Sequence, residues 1–183
     1  MAKAEVQYSA AVLRNKGVPI EVHALDDDGA VQTDGEGAAV TALRWVRFDF
    51  NAIADIEEEW DGTSKWEAAL SGESESDEAG SGASASLVRA VRKTLSIVWN
   101  EDPREVGAVL ITQNMMDYTV AIGVAWGLAN GLDPTFAAER LTEATATIAA
   151  AKAKIGEVAE GNEPNTEPTG MDSPQGGSPL VDL

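Results

Sequence analysis

The hydrophobic period of this chain changes once, at Phe50–Asn51, and that change sets the fold class. Before it, apolar residues alternate with others. Val18, Ile20 and Val22 alternate with Pro19, Glu21 and His23, and Val46, Phe48 and Phe50 alternate with Arg47 and Asp49. Period two with β-branched and aromatic residues marks a half-buried strand. Between these runs, Asp26-Asp27-Asp28-Gly29 and Asp34-Gly35-Glu36-Gly37 supply turn residues. A two- or three-stranded antiparallel hairpin with an acidic loop is therefore expected. Val6, Tyr8, Ala10 and Val12 also alternate, which adds a candidate strand around the N-terminal segment, residues 1–16.

After the change the spacing is helical. With Asn51 as N-cap, Ile53, Ile56 and Trp60 recur three and four apart, while Asp55 and Glu57–Glu59 occupy the positions between them. This helix stops at Gly62, and a short turn follows at Lys65–Leu70. Ser71–Ser86 has no large apolar residue. It buries too little to offset its ordering entropy, so it is expected to be a flexible acidic linker. Leu87, Val91, Leu95 and Val98 form one face of the next helix, with Arg89, Arg92 and Lys93 on the other. Asp102-Pro103 ends that helix and caps another.

Val106–Leu132 is the most apolar stretch, carries one charge, Asp117, and reads as two helices broken near Thr112–Asn114. Asp133-Pro134 then places an N-cap before Pro at the first helical position. Ala137, Leu141, Ala144, Ile148, Ala151, Ile155 and Val158 continue as a heptad seam, open to a copy of itself, to a partner helix or to the domain. The expected class is α+β: a small N-terminal antiparallel hairpin region with a helical body in a folded domain at 17–132. A long Ala-rich helix at 133–160 and a disordered acidic tail at 161–183 follow.

Charge and residue types exclude several functions. The 31 acidic and 13 basic residues leave a net charge of −18, which opposes nucleic acid and anionic membranes. Cysteine is absent, which removes disulfides and thiolate metal sites. Residues 1–10 show no signal-peptide apolar core. Uncharged Tyr118–Leu132 spans 15 residues, short of the roughly 20 a membrane helix needs. A soluble intracellular protein is expected.

The lone His23 is read as an exposed strand residue, since partners for a zinc site or a catalytic triad are missing. Counting a calcium loop from Asp26 puts Ala30 at position 5 and Gly37 at position 12, so the ligand pattern fails. Glu57–Glu59 point to different sides of a helix and read as a solvated face. Gly123, Gly127 and Gly131 read as a close-packing stripe in the core or, alternatively, as an oligomer contact or partner groove, with Gly131 also able to end the helix. Arg89, Arg92 and Lys93 read as a solvated basic face that can receive the chain's own acidic segments.

Leu43–Trp60, LRWVRFDFNAIADIEEEW, resembles the strand-then-helix signature of tailed-phage tail assembly chaperones: a basic aromatic strand followed by an acidic helix. Gly17–Val22 (GVPIEV) resembles the strand before it. Trp99–Leu110 (WNEDPREVGAVL) resembles the family's second element, an acidic Pro turn leading into a helix. The similarity spans roughly residues 17–130 and extends to related gene-transfer-agent tail proteins. It implies a protein without catalysis or cofactor that binds the tape measure protein and keeps it soluble until the tail tube polymerises. It also implies a longer frameshifted form that recruits tail tube protein. Such a protein acts in the host cytoplasm and is absent from the mature virion.

A holdase needs available apolar surface kept soluble by charge. The candidate contacts are Phe48, Phe50, Ile53, Ile56 and Trp60, together with Val106–Leu132. Self-association stays open. The alternatives are a structural virion component (a minor tail or connector protein), an acidic mimic of DNA and, last, an enzyme.

Overall fold

The computed structural model describes residues 8–71 and 85–160, with side chains through residue 153. It is α+β: a two-stranded antiparallel sheet among seven α-helices of the described residues. The body of the Ser71–Ser86 linker and the tail from residue 161 lie outside the described residues.

The first element corrects the expected N-terminal strand. α1, Ala10–Lys16, is a helix capped by Ser9, whose side chain accepts from the Val12 N–H at 3.3 Å. Its buried residue is Leu13, off the alternating set. Four alternating residues of mixed size do not distinguish the two periods, and the Ser9 cap decides. Gly17 ends α1 at φ 93° and donates to the Leu13 carbonyl.

β1, Val18–His23, pairs antiparallel with β2, Thr41–Val46, from Val18 opposite Val46 to His23 opposite Thr41. Val18, Ile20, Val22 and Val46 are buried. Pro19 stands opposite Trp45 and has no N–H to give, so the main-chain groups of this pair turn outward. Helices meet the outward groups: the Trp45 carbonyl accepts from Trp99 Nε1 at 2.9 Å, and the Glu21 carbonyl from the Tyr118 hydroxyl at 2.8 Å.

The acidic connection folds as two similar turns. Asp26 Oδ1 accepts from the N–H groups of Asp28 and Ala30, and Asp34 Oδ1 from those of Glu36 and Ala38. Isolated bridges Leu25–Val31 and Thr33–Ala39 brace each turn. The common Asp-x-x-Gly-Ala spelling of 26–30 and 34–38 is the sequence signal for this repeat.

β2 stops at Val46, short of the expected Phe50. Asp49, not Asn51, is the N-cap of α2, Phe50–Glu59, and accepts from the Ala52 N–H at 2.8 Å. Trp60 closes α2, and Asp61 and Gly62 at positive φ turn the chain into α3, Thr63–Ser71. α3 is a full helix where a short turn was expected, because Trp66 and Leu70 are both drawn into the core.

α4, Ala85–Trp99, buries Leu87, Val91 and Leu95 as their spacing predicts, and Ala90 and Thr94 as well. Asp102 caps α5, Pro103–Val109, accepting from the Arg104 N–H at 2.7 Å, with Pro in the first turn. A 3-10 turn at Thr112–Asn114 separates α5 from α6, Met115–Ala129, where the break was expected. Asp133 accepts from the N–H groups of Thr135 and Phe136 and opens α7, Pro134–Glu160.

An aromatic cluster centres the core. Phe48 lies 6.0 Å from Trp66 and 5.3 Å from Trp126 between ring centres, and the two indoles lie 4.7 Å apart. Trp66 Nε1 donates to Thr94 Oγ1 at 2.8 Å. α7 folds back antiparallel along α6, since Lys152 Nζ meets Asp117 Oδ2 at 2.6 Å and Asn114 Oδ1 at 3.1 Å. Leu13, Ala137 and Leu141 join the same core as residues 17–132. Among the described residues no helix is long and apolar enough to cross a membrane.

Candidate partner-binding surface

The junction of β2 and α2 carries the five expected contacts, and packing divides them. Phe48 is locked against Trp66 and Trp126, and Ile56 is wholly buried. Both belong to the core and are closed to a partner in this conformation, which corrects their reading as contacts. Ile53 and Trp60 are half-buried and packed against that core. Phe50 is 83% exposed. The alternating pattern put Phe48 and Phe50 on one face, but the Asp49 cap switches the period between them, so one ring enters and the next turns out.

Acidic side chains follow further along α2. Asp55, Glu57, Glu58 and Glu59 are exposed, as the solvated-face reading expects. Asp55, Glu58 and Glu59 line an open groove of about 670 Å³ against Ser96, Asn100 and Glu101 from the end of α4. Lys93 pairs with Glu59 across it and lies 5.9 Å from the Trp60 ring centre, so part of the basic face of α4 does receive the chain's own carboxylates.

At the groove's end the Arg44 guanidinium stacks 3.7 Å from the Trp99 ring centre and makes a two-pronged pair with Glu101, at 2.6 and 2.8 Å. That hydrogen bond, opposed by partial burial, holds the Glu101 carboxyl below its ordinary value.

Val106–Leu132 is largely core, with Val106, Tyr118 and Ile122 wholly buried; Met116 is its large exposed side chain, at 56%. Leu43 on β2 and Phe136 on α7 are also exposed, and sequence reasoning did not single them out. Phe136 sits beside Arg140 at 5.4 Å. Its signal was its place off the heptad seam. The glycine stripe is not a close-packing face: a Cβ at Gly123 meets nothing within 4 Å, and one at Gly127 meets Leu132 of the following turn. Gly131, at φ 91°, does end the helix.

His23 is half-buried rather than exposed, and its Nδ1 has no hydrogen-bond partner. Among the described residues, no group of three or more His, Asp or Glu is placed to hold a metal ion.

No family model, curated protein or solved structure matches the chain.

Proposed function

We propose that this protein is a tail assembly chaperone of a tailed phage, which holds the tape measure protein in solution until the tail tube forms. The observation that carries this reading is Phe50, a large ring left 83% exposed within the segment that resembles the family. An aromatic ring facing water is free to anchor a partner. The carboxylates further along α2 help to keep the chain soluble. Ile53 and Trp60, half-buried next in line, provide flanking apolar area. The tape measure protein would present an apolar helix face to this ridge, and basic residues to the acidic groove. Recruitment of tail tube protein belongs to a longer frameshifted form, action in the host cytoplasm and absence from the virion go with the same reading, and self-association is compatible with it.

The test is co-expression with the candidate tape measure protein from the same genome, followed by affinity capture and size exclusion. A soluble complex is expected with the natural chain, and its loss with Phe50→Ser, whose fold should be intact because the ring contributes little to the core. A complex unaffected by Phe50→Ser moves the contact elsewhere. A tape measure protein that stays insoluble with either form, while the chain is found in purified particles, selects a minor tail or connector protein instead.

A further inference from the structure

In a chain of net charge −18, three cations gather where α1 meets the end of β2. Lys16 lies 5.3 Å from the Trp45 ring centre, Arg47 donates to the Asn15 carbonyl at 2.9 Å, and Arg14 and Arg47 line one cleft. None of the three is ion-paired with a described carboxylate, although Asp133 lies within the field of Arg14. Below the arginines the cleft is apolar. Leu13, Val46 and Ala125 form its base and Leu128 and Leu132 its side, around a volume of about 200 Å³. A volume of this size has room for one or two aliphatic side chains.

The rim and base together select an occupant that is aliphatic and acidic. Residues 161–183 contain Glu163, Glu167, Asp172 and Asp182 and no Lys or Arg, and their one aliphatic cluster is Leu180-Val181-Asp182-Leu183. We propose that this cluster docks into the cleft of its own chain, with its aliphatic side chains on Leu128 and Leu132 and Asp182 against Arg14 and Arg47.

The reach is sufficient. α7 starts at the cleft with Pro134 and runs for 27 residues, about 40 Å at 1.5 Å per residue. The 18 residues Gly161–Ser178 extend to about 60 Å, enough to return along the helix. The tether sets a local concentration on the order of millimolar, so a small apolar contact and one charge pair suffice to populate the docked state. Elsewhere on an acidic body the same acidic segment meets repulsion.

Amide hydrogen exchange on the full chain tests this. Against the natural sequence, the triple change Leu180→Ser, Val181→Ser and Leu183→Ser should speed exchange several-fold in α1 and at residues 125–132, with α4 unchanged. These substitutions leave every residue of the described core unchanged, so lost protection is read against an unaltered core. Arg47→Glu should have the same effect, and adding Asp182→Lys to it should restore protection, which a purely structural role for Arg47 does not allow. A photoreactive benzoylphenylalanine at position 181 should cross-link to cleft residues within one chain. Equal exchange in the natural and triple-variant chains overturns the proposal, as do cross-links formed only between two chains.

Discussion

One phenol ties three segments together. The Tyr118 hydroxyl accepts from the Ile111 N–H at 2.9 Å and donates to the Glu21 carbonyl at 2.8 Å. Burial pushes its pKa up to about 12, from an ordinary value near 10. Between those values the folded chain keeps a proton that the unfolded chain has lost, so stability falls as pH rises through this window. Tyr118→Phe should flatten that alkaline slope. By removing the acceptor of the part-buried Ile111 N–H, it should also cost about 1–3 kcal/mol in urea unfolding at neutral pH. Retention of the slope in the variant would assign it to another group. Gly17 is the second such residue. Its backbone lies at φ 93°, ψ −159°, and a Cβ there would collide with the Val46 carbonyl. Gly17→Ala should therefore destabilise the fold by about 1–3 kcal/mol from backbone strain alone, with further loss from displacement of β2. A variant melting like the natural chain would show that the α1–β1 turn can relax.

At the scale of elements, α7 is one helix in two environments. Ala137 and Leu141 are buried, Ala144 and Ile148 are half-buried, and Ala151 is exposed. The uniform heptad seam is thus used unevenly: apolar packing covers its first turns, and further along the helix stays on α6 through the polar contacts of Lys152 with Asp117 and Asn114. Leu141→Ala should cost about 2–5 kcal/mol, as for a filled core site. Ile148→Ala should cost less, since Ile148 is only partly buried. Equal losses in chemical unfolding would mean that the second half of the seam is also covered in solution. The caps of α5 and α7 were legible in the sequence because Asp-Pro carries both an N-cap carboxylate and a fixed φ within two adjacent residues. The start of α2 was less so, since Asp49 and Asn51 are both good caps and only packing of Phe48 chooses between them.

For the whole molecule, stability should have an acid limb as well as an alkaline one. Arg44 holds the Glu101 carboxyl below its ordinary value, and the N–H groups of Phe136 and Thr135 do the same for Asp133. Carboxyls depressed in the folded state stabilise it above their unfolded pKa and lose that contribution as pH falls through their folded values. Thermal melting from pH 7 downward should therefore weaken below about pH 4, and Glu101→Gln should shallow the fall. An unchanged acid limb would locate it in other carboxylates.

What the sequence determined by itself was local: the alternation of Val18, Ile20 and Val22 in β1, the face Leu87–Val91–Leu95 of α4, the break at Thr112–Asn114 and the Asp-Pro helix starts. Each depends on neighbours within a turn or two, so adjacent residue chemistry suffices. Only the tertiary structure decided that residues 10–16 coil rather than extend, that Phe48 enters while Phe50 faces water, and that the α7 seam is buried at Ala137 and Leu141 but exposed at Ala151. Those outcomes rest on burial, a property conferred by partners distant in sequence. The pocket that receives Phe48 exists only once Trp66 and Trp126 have come together around it.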